Sequence, residues 1–136
     1  MAGLVYVNRF PELAAALKPA LQKGVQATGE QMVSNIADPA PRESGFMAEN
    51  VYVSGPLSST YGSGSIQPPG DSYLLPEVKP GDDMTAVVGA AADYSVFVNY
   101  GTRYMPAQPF FDKGVETTRG EFEPIMAAEL NAAWSL

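Results

Sequence analysis

The sequence predicts an α+β domain in which two long helices pack on a small antiparallel sheet of three or four strands. Three observations predict this fold class. Apolar residues recur at helical spacing near both ends of the chain, short alternating segments lie between them, and a long segment rich in glycine, proline and serine separates these segments. The order helix, strand, loop, strand, strand, helix is typical of the class. A chain of 136 residues fits a single domain, which we expect to cover residues 1–136.

The first helix is predicted from Phe10 to Ile36. Its apolar residues follow one stripe in steps of three or four, and they are Phe10, Leu13, Leu17, Leu21, Val25, Met32 and Ile36. Asn8 is a suitable N-cap, and Pro11 suits the first turn. Pro19 lies inside the helix and removes one backbone hydrogen bond, so it predicts a kink.

Three strands are predicted over residues 46–53, 84–91 and 94–100. In the third segment tyrosine and valine alternate with serine, phenylalanine and asparagine, which is the period of a strand. The last helix is predicted from Pro109 to about Trp134, again with an apolar stripe at helical spacing. Gly114, Gly120 and Pro124 interrupt that stripe, and they predict a bend near Glu123.

Residues 54–83 form a long connection, in which 16 of the 30 residues are glycine, proline or serine. Loops longer than about 15 residues are uncommon in compact domains and are usually functional or disordered. Apolar anchors nevertheless occur within it, at Tyr61, Ile66, Tyr73 and Leu74. Two interpretations stay open: an extended arm that orders against a partner, and a mobile surface loop.

The composition argues against most enzyme classes. The chain has no cysteine and no histidine, so it lacks a thiolate nucleophile, the commonest general base and the commonest metal ligand. We therefore expect no catalytic residue, no cofactor and no metal. A small hydrolase that uses the carboxylates of Asp71, Asp82 or Asp83 remains an alternative, as does a monomeric module that binds peptides at its sheet edge.

The net charge and the sequence of the first residues limit the kinds of partner that we expect. The net charge is −7 with only 8 lysines and arginines, which disfavours specific nucleic-acid binding because phosphate neutralisation needs a basic face. The first ten residues, MAGLVYVNRF, lack the basic and apolar regions of a secretory signal. No apolar run approaches the roughly 20 residues that span a bilayer. We expect a soluble intracellular protein without a membrane partner.

The segment YSVFVNYGTRYMPAQPFF, residues 94–111, raises the choice between a phosphate-binding loop and a structural corner. A phosphate site needs several backbone N–H groups that converge at a helix N-terminus, and Pro106 and Pro109 have none. The sequence therefore predicts a corner. Gly101 turns the chain, and a positive φ there would make alanine destabilising, while Phe110 and Phe111 anchor the helix that follows.

The same segment carries a family resemblance. Its motifs are Tyr94, Phe97-Val98, Tyr100-Gly101-Thr102, Met105 and Ala107-Gln108-Pro109-Phe110-Phe111. This order resembles that of the tailed-phage neck proteins, which are also described as head–tail joining, tail-completion or minor tail components. A second match is Pro41-Arg42-Glu43-Ser44-Gly45, which leads into a predicted strand. Asn99 departs from the family pattern, in which an acidic residue is common at that place.

The resemblance implies a structural protein of the virion. Such proteins assemble in the host cytoplasm as a ring, here a hexamer or dodecamer, that joins the head portal or connector to the tail around the DNA channel. The expected partners are further copies of the chain, the portal or connector, and tail-tube or terminator proteins, with DNA passing nearby. A tail-terminator or head-closure ring is the alternative. The candidate interface and structural residues are Tyr94, Tyr100, Gly101, Thr102, Pro109, Phe110, Phe111, Tyr61, Ile66, Tyr73 and Leu74.

Overall fold

The computed structural model describes residues 10–134, and it confirms the α+β class. The elements in chain order are α1 (Phe10–Ala37), α2 (Phe46–Glu49), β1 (Val51–Ser54), β2 (Val87–Ala90), α3 (Ser95–Tyr100), α4 (Phe110–Arg119) and α5 (Phe122–Trp134). Over this range the sheet has two antiparallel strands, fewer than the three or four that the sequence predicts.

Helix α1 is the element on which the others pack. It ends one residue beyond its predicted end and contains Pro19, whereas the predicted N-cap Asn8 lies outside the described residues. Helices α4 and α5 and strand β1 all lie along it. Glycines permit the closest approach: a Cβ at Gly114 of α4 would fall 2.7 Å from the Cα of Ile36. The last turns of α1 and the start of α4 therefore meet almost backbone to backbone.

The two strands pair with Val51 opposite Ala90 and Ser54 opposite Val87. Alternate side chains point to opposite faces of the sheet. On the face towards α1, the Val53 side chain lies over Gly29. On the other face, the Tyr52 ring lies over Gly89 and packs against Tyr61 of the connection between the strands.

The hydrophobic core lies where the C-terminal end of α1 meets α2, the sheet and the start of α4. Its buried members are Ile36, Ala40, Phe46, Met47, Ala48, Val51, Ala92 and Phe110. Two of them, Ile36 and Ala92, have no exposed surface at all. Burial of apolar surface of this kind contributes about 25 cal/mol per Å², so this cluster is the main source of stability at this end of the fold.

The first predicted strand, over residues 46–53, is wrong in its first half. Gly45 adopts a left-handed conformation with φ 84°, and a turn of helix, α2, follows it. The Asn50 side-chain amide donates to the Phe46 carbonyl at 2.8 Å, which closes that turn before β1 begins. Apolar residues on both faces do not distinguish a buried helical turn from a buried strand, and the sequence pattern therefore predicted a strand where a helical turn forms.

The third predicted strand, over residues 94–100, is also wrong, because this segment forms helix α3. Two pairs at helical spacing face inward: Ser95 and Asn99 are 5% and 4% exposed, and Tyr94 and Val98 pack against the core. The buried positions of α3 thus include two polar residues. The strand-like alternation of tyrosine and valine concealed this spacing.

The C-terminal prediction needs a smaller correction. Residues 110–134 form two helices, and the break falls at Gly120 and Glu121, two to three residues before the bend that was predicted near Glu123. The predicted strand over residues 84–91 is shorter, as β2. Residues 55–83 contain no helix and no strand beyond isolated bridges, and we call this connection the arm.

Candidate functional site

Residues 101–109, which follow α3, form the corner that the sequence predicts. Gly101 has φ 80° and ψ 172°, so the condition under which alanine there is expected to be destabilising is met. A Cβ at this position would lie 2.7 Å from the backbone nitrogen of Ala107. Thr102 and Met105 exchange backbone hydrogen bonds of 2.9 and 3.3 Å, which close a tight turn between them. The corner is therefore a fixed part of the surface.

Asn99 fastens α3 to the next helix. Its side-chain oxygen accepts hydrogen bonds from the backbone N–H groups of Phe111 at 3.1 Å and Asp112 at 3.4 Å. These N–H groups belong to the first turn of α4, which has no intrahelical partner for them. Pro109 precedes this helix and offers no side-chain cap of its own. Asn99, ten residues before Pro109, thus caps α4 and sets the angle between α3 and α4.

The outer face of α3 is apolar. Val96 is 51% exposed, Phe97 56% and Tyr100 67%, and Tyr104 on the corner reaches 88%. The Arg103 guanidinium lies 5.9 Å from the centre of the Tyr104 ring. Together these side chains form what we call the α3 patch: Val96, Phe97, Tyr100 and Tyr104. Apart from Val98, which packs against the core, α3 buries serine and asparagine and exposes valine, phenylalanine and tyrosine, so its polarity is largely reversed relative to an ordinary surface helix.

A groove of about 160 Å³ lies between α3 and the end of the sheet, and we call it the edge groove. Its walls include Leu75, Ala90, Ser95, Val96, Tyr100 and Phe111. The hydroxyl oxygen of Ser95 is buried and has no hydrogen-bond partner in the described part of the chain. An unpaired buried hydroxyl costs free energy in the folded state.

A second, wider groove of about 600 Å³ lies between the loop after α1, the arm and the corner. Tyr94 and Met105 line it, together with Glu43 and Ser44. The Tyr94 ring packs 6.4 Å from that of Phe46, centre to centre. Partial burial raises the pKa of the Tyr94 phenol, so this side chain is a neutral wall of the groove at physiological pH.

The middle of the arm is tied to the domain by one carboxylate. Glu49 accepts hydrogen bonds from the N–H groups of Ser65 at 2.6 Å and Ile66 at 2.8 Å. The Ser65 N–H, followed by that of Ile66, lowers the pKa of this carboxyl. The Ile66 side chain lies against Gly45.

Tyrosines fasten the arm to the sheet. The Tyr61 ring packs edge-on against Tyr52 at 5.1 Å, and its hydroxyl donates to the Leu75 carbonyl at 2.6 Å. The Tyr52 hydroxyl accepts a hydrogen bond from the N–H of Val78 at 3.0 Å. The arm therefore folds back on its own sheet here.

Contacts with α1 hold both ends of the arm. Near its start, the buried Gln26 accepts hydrogen bonds from the N–H groups of Leu57 at 3.2 Å and Ser58 at 3.3 Å. At its far end, Asp83 forms a 2.6 Å ion pair with Lys18. Both ends of the arm are therefore attached to α1.

The structure distributes the predicted site residues over several places. Tyr100, Phe110 and Phe111 come together at the edge groove, although Phe110 is only 3% exposed and acts as a core anchor. Tyr94 lines the wider groove, while Gly101, Thr102 and Pro109 shape the corner and the start of α4. On the arm, Tyr73 is 58% exposed and Ile66 39%, whereas Leu74 pairs with Ala92 and contacts the core.

Sequence reasoning missed three exposed members of the α3 patch as site residues, namely Val96, Phe97 and Tyr104. The available signal is the i, i+4 spacing of Ser95 and Asn99. Once those two polar residues are placed inward on a helix, residues 97 and 100 face outward, whereas Tyr104 lies beyond the helix and has no such signal.

Two of the three acidic residues considered for catalysis, Asp82 and Asp83, have structural partners. The Asp82 carboxylate accepts from the Met84 N–H at 2.9 Å and the Thr85 hydroxyl at 2.8 Å, and the Met84 hydrogen bond lowers its pKa. Asp83 is engaged with Lys18. Within residues 10–134, no three acidic side chains cluster as a metal site would require, and no helix has the length and apolarity to cross a bilayer.

Comparisons with protein-family models, with curated proteins and with solved structures found no match to this chain. Two features of the described surface bear on its function: the reversed polarity of α3 and the apolar edge groove beside it.

Proposed function

We propose that this protein is a structural component of a tailed-phage virion that assembles as a ring in the neck. The ring joins the head portal or connector to the tail around the DNA channel. The motif resemblance at residues 94–111 supplies the class of protein, and the exposed α3 patch supplies a surface for assembly. In this proposal the protein acts by docking rather than by chemistry.

The single observation that carries the proposal is the reversed polarity of α3. Exposed apolar side chains that lie side by side are characteristic of protein–protein interfaces, whereas isolated ones are ordinary. Phe97 and Tyr100 share the outer face of one short helix, and aromatic residues are enriched at interface centres. The Asn99 cap and the Gly101 turn hold this face rigidly, so docking costs little conformational entropy.

The charge of the chain suits a channel for DNA. A net charge of −7 repels the phosphate backbone, so the polymer passes without sticking. Closed cyclic symmetry requires one patch of each subunit to meet a different patch of the next. A hexamer or a dodecamer satisfies this requirement, with the portal or connector on one side and tail-tube or terminator proteins on the other. A tail-terminator or head-closure ring is the alternative assignment within the same class.

The test compares two exposed phenylalanines. Phe97 of α3 is 56% exposed and Phe122 of α5 is 44% exposed. We expect the wild-type protein to form one closed oligomer by native mass spectrometry, Phe97→Glu to remain a folded monomer, and Phe122→Glu to assemble. Wild-type protein that stays monomeric at every concentration and fails to join isolated heads to tails would contradict the proposal.

A second comparison separates assembly from catalysis. Asp71, Asp82 and Asp83 are the acids that a carboxylate-based hydrolase would use. Their replacement by alanine should leave the joining of isolated heads and tails intact, because none of the three lies in the α3 patch. Loss of joining in these variants, with oligomer formation unchanged, would favour the enzymatic alternative.

A further inference from the structure

The corner carries two neighbouring exposed side chains, Arg103 and Tyr104, which we call the corner knob. The Tyr104 side chain is 88% exposed, and the Arg103 guanidinium lies 5.9 Å from the centre of its aromatic ring. The backbone holds the knob in place, because the Tyr104 N–H donates to the Thr102 hydroxyl at 3.2 Å within the turn that Thr102 and Met105 close. A side chain on such a preorganised turn loses less conformational entropy when it docks.

The wider groove has the size and the lining to receive an aromatic side chain. Its volume of about 600 Å³ lies within the range of about 300–1,000 Å³ that is usual for ligand pockets. Pro41, Pro69, Tyr94 and Met105 supply apolar surface, and a methionine sulfur interacts favourably with an aromatic ring. A tyrosine that leaves water for such a groove buries about 150–250 Å², which makes the contact favourable.

The knob and the wider groove carry opposite charges. Glu43 is exposed at the groove and is the one charged residue among the described residues that line it. Burial raises the pKa of the Tyr94 phenol in the groove wall, and the Asp93 and Glu43 carboxylates raise it further, so the potential in the groove is negative. Neither Glu43 nor Arg103 forms an ion pair with another described residue. Complementary charges of this kind favour the approach of two surfaces and fix their orientation.

The knob does not fill the groove of its own subunit. Met105 lines the wider groove, but its neighbour Tyr104 is not among the described lining residues and is almost fully exposed. The knob and the groove are thus two different surfaces of one subunit, and they are complementary in shape and charge. A closed ring requires a contact between different patches of successive subunits.

We infer that the Tyr104 side chain of one subunit inserts into the wider groove of the next subunit, where Arg103 pairs with Glu43. This inference rests on the ring assembly proposed above and names its contact. Tyr104 is the aromatic anchor in a pocket, and the ion pair at the rim orients it. Because Tyr104 belongs to the α3 patch, the contact also covers part of that patch.

Charge reversal in the full chain tests the ion pair. Arg103→Glu and Glu43→Arg should each raise the protein concentration at which rings dissociate at least about tenfold, because each places like charges together. The double variant restores opposite charges and should form rings as the wild-type protein does. Analytical ultracentrifugation measures the dissociation, and both positions are exposed, so the variants should keep the wild-type circular dichroism spectrum. The matched control is Arg119→Glu, at an exposed arginine of α4, which should leave the rings intact.

Photo-cross-linking tests the insertion itself. Tyr104 is replaced by p-benzoylphenylalanine, which keeps an aromatic side chain, and this protein is assembled with ¹⁵N-labelled wild-type chains so that contacts between chains are distinguished by mass. We expect cross-links to residues 41–45 and 69–72 of the labelled chain, which include the groove wall. The same photoreactive residue at Phe122, exposed on α5, is the control and should not reach the groove. Tyr104→Ala should abolish the rings.

The outcomes separate this inference from the ring itself. Rings that survive Tyr104→Ala, or cross-links that fall outside the groove or within single chains, overturn the contact and leave the ring proposal standing. A double charge variant that does not recover assembly overturns the pairing of Arg103 with Glu43. Tyr104→Ala protein that forms rings but does not join heads to tails shows that the knob docks on another virion protein, which also overturns the inference. Wild-type protein that never oligomerises overturns both proposals.

Discussion

Asn99 is the residue on which the geometry of the α3 patch depends. It is 4% exposed, and one side-chain oxygen serves two N–H groups of α4. A carboxylate at this place would present the same acceptor to the helix N-terminus. The physical requirement at this position is thus an oxygen acceptor, and asparagine meets it without a buried charge.

Asn99→Ala should lower the free energy of unfolding by about 1–3 kcal/mol, since it removes a helix cap and leaves buried N–H groups unpaired. Asn99→Asp retains the acceptor and should lose less. Chemical denaturation of the three proteins measures the difference. Equal losses for alanine and aspartate would show that the hydrogen bonds to Phe111 and Asp112 contribute nothing to stability.

Gly101 is confined by its backbone conformation and by its surroundings. A φ of 80° with a ψ of 172° is reached almost only by glycine, and an added Cβ would meet Ala107. Gly101→Ala should therefore destabilise by more than about 1 kcal/mol. The matched control is Gly120→Ala, whose φ is −74° and whose added Cβ has no neighbour closer than 3.8 Å. An unchanged melting temperature for Gly101→Ala would show that the corner does not require glycine at this position.

At the scale of elements, the sequence predicts what is long and periodic. Helix α1 has seven apolar residues on one stripe, and the structure places its end one residue from the predicted position. The strand predicted over residues 84–91 likewise contains β2. Long patterns predict an element reliably because many residues follow the same period.

Short elements cannot be predicted in this way, because tertiary contacts determine whether they form a helix or a strand. Helix α3 has six residues, and its valines and aromatics favour a strand locally. The Asn99 cap and the burial of Ser95 make it a helix, and neither contact is visible in one sequence. The edge groove is equally hidden, because Leu75 reaches it from the arm while Phe111 reaches it from α4.

The arm has a pH-sensitive attachment at Glu49. Hydrogen bonds from Ser65 and Ile66 lower the pKa of this carboxyl from its ordinary 4.5, so the charged form is favoured in the folded state. The attachment is complete above pH 4.5 and is lost as the pH falls through the lowered pKa. By NMR, the Ser65 and Ile66 amide resonances should titrate with a midpoint below 4.5.

A substitution isolates the same attachment at neutral pH. Glu49→Gln should increase hydrogen exchange at the Ser65 and Ile66 amides, because a neutral amide accepts more weakly than a carboxylate. Glu123→Gln, at an exposed position on α5, is the control and should leave these amides unchanged. Unaltered protection in Glu49→Gln would mean that other contacts hold the middle of the arm.

At the scale of the whole molecule, the described surface is organised along α1. Asp83 of the arm pairs with Lys18 on the first half of this helix, while the core, the sheet and α3 gather at its other end. The α3 patch and the edge groove are neighbours, since Val96 and Tyr100 belong to both. One neighbouring subunit would cover both features in a single contact, so assembly and folding stability should be coupled.

This coupling predicts a melting temperature that depends on protein concentration. A partner that binds only the folded state stabilises it by mass action. For an oligomer that dissociates as it unfolds, each tenfold rise in concentration adds somewhat less than about 1.4 kcal/mol per subunit, which for a domain of this size raises the melting temperature by about 3–5 °C. Differential scanning calorimetry over a hundredfold range should show this shift for the wild-type protein. Phe97→Glu should melt at one temperature throughout, because its folded subunits no longer meet through the α3 patch, and a concentration-independent wild-type melting temperature would contradict the coupling.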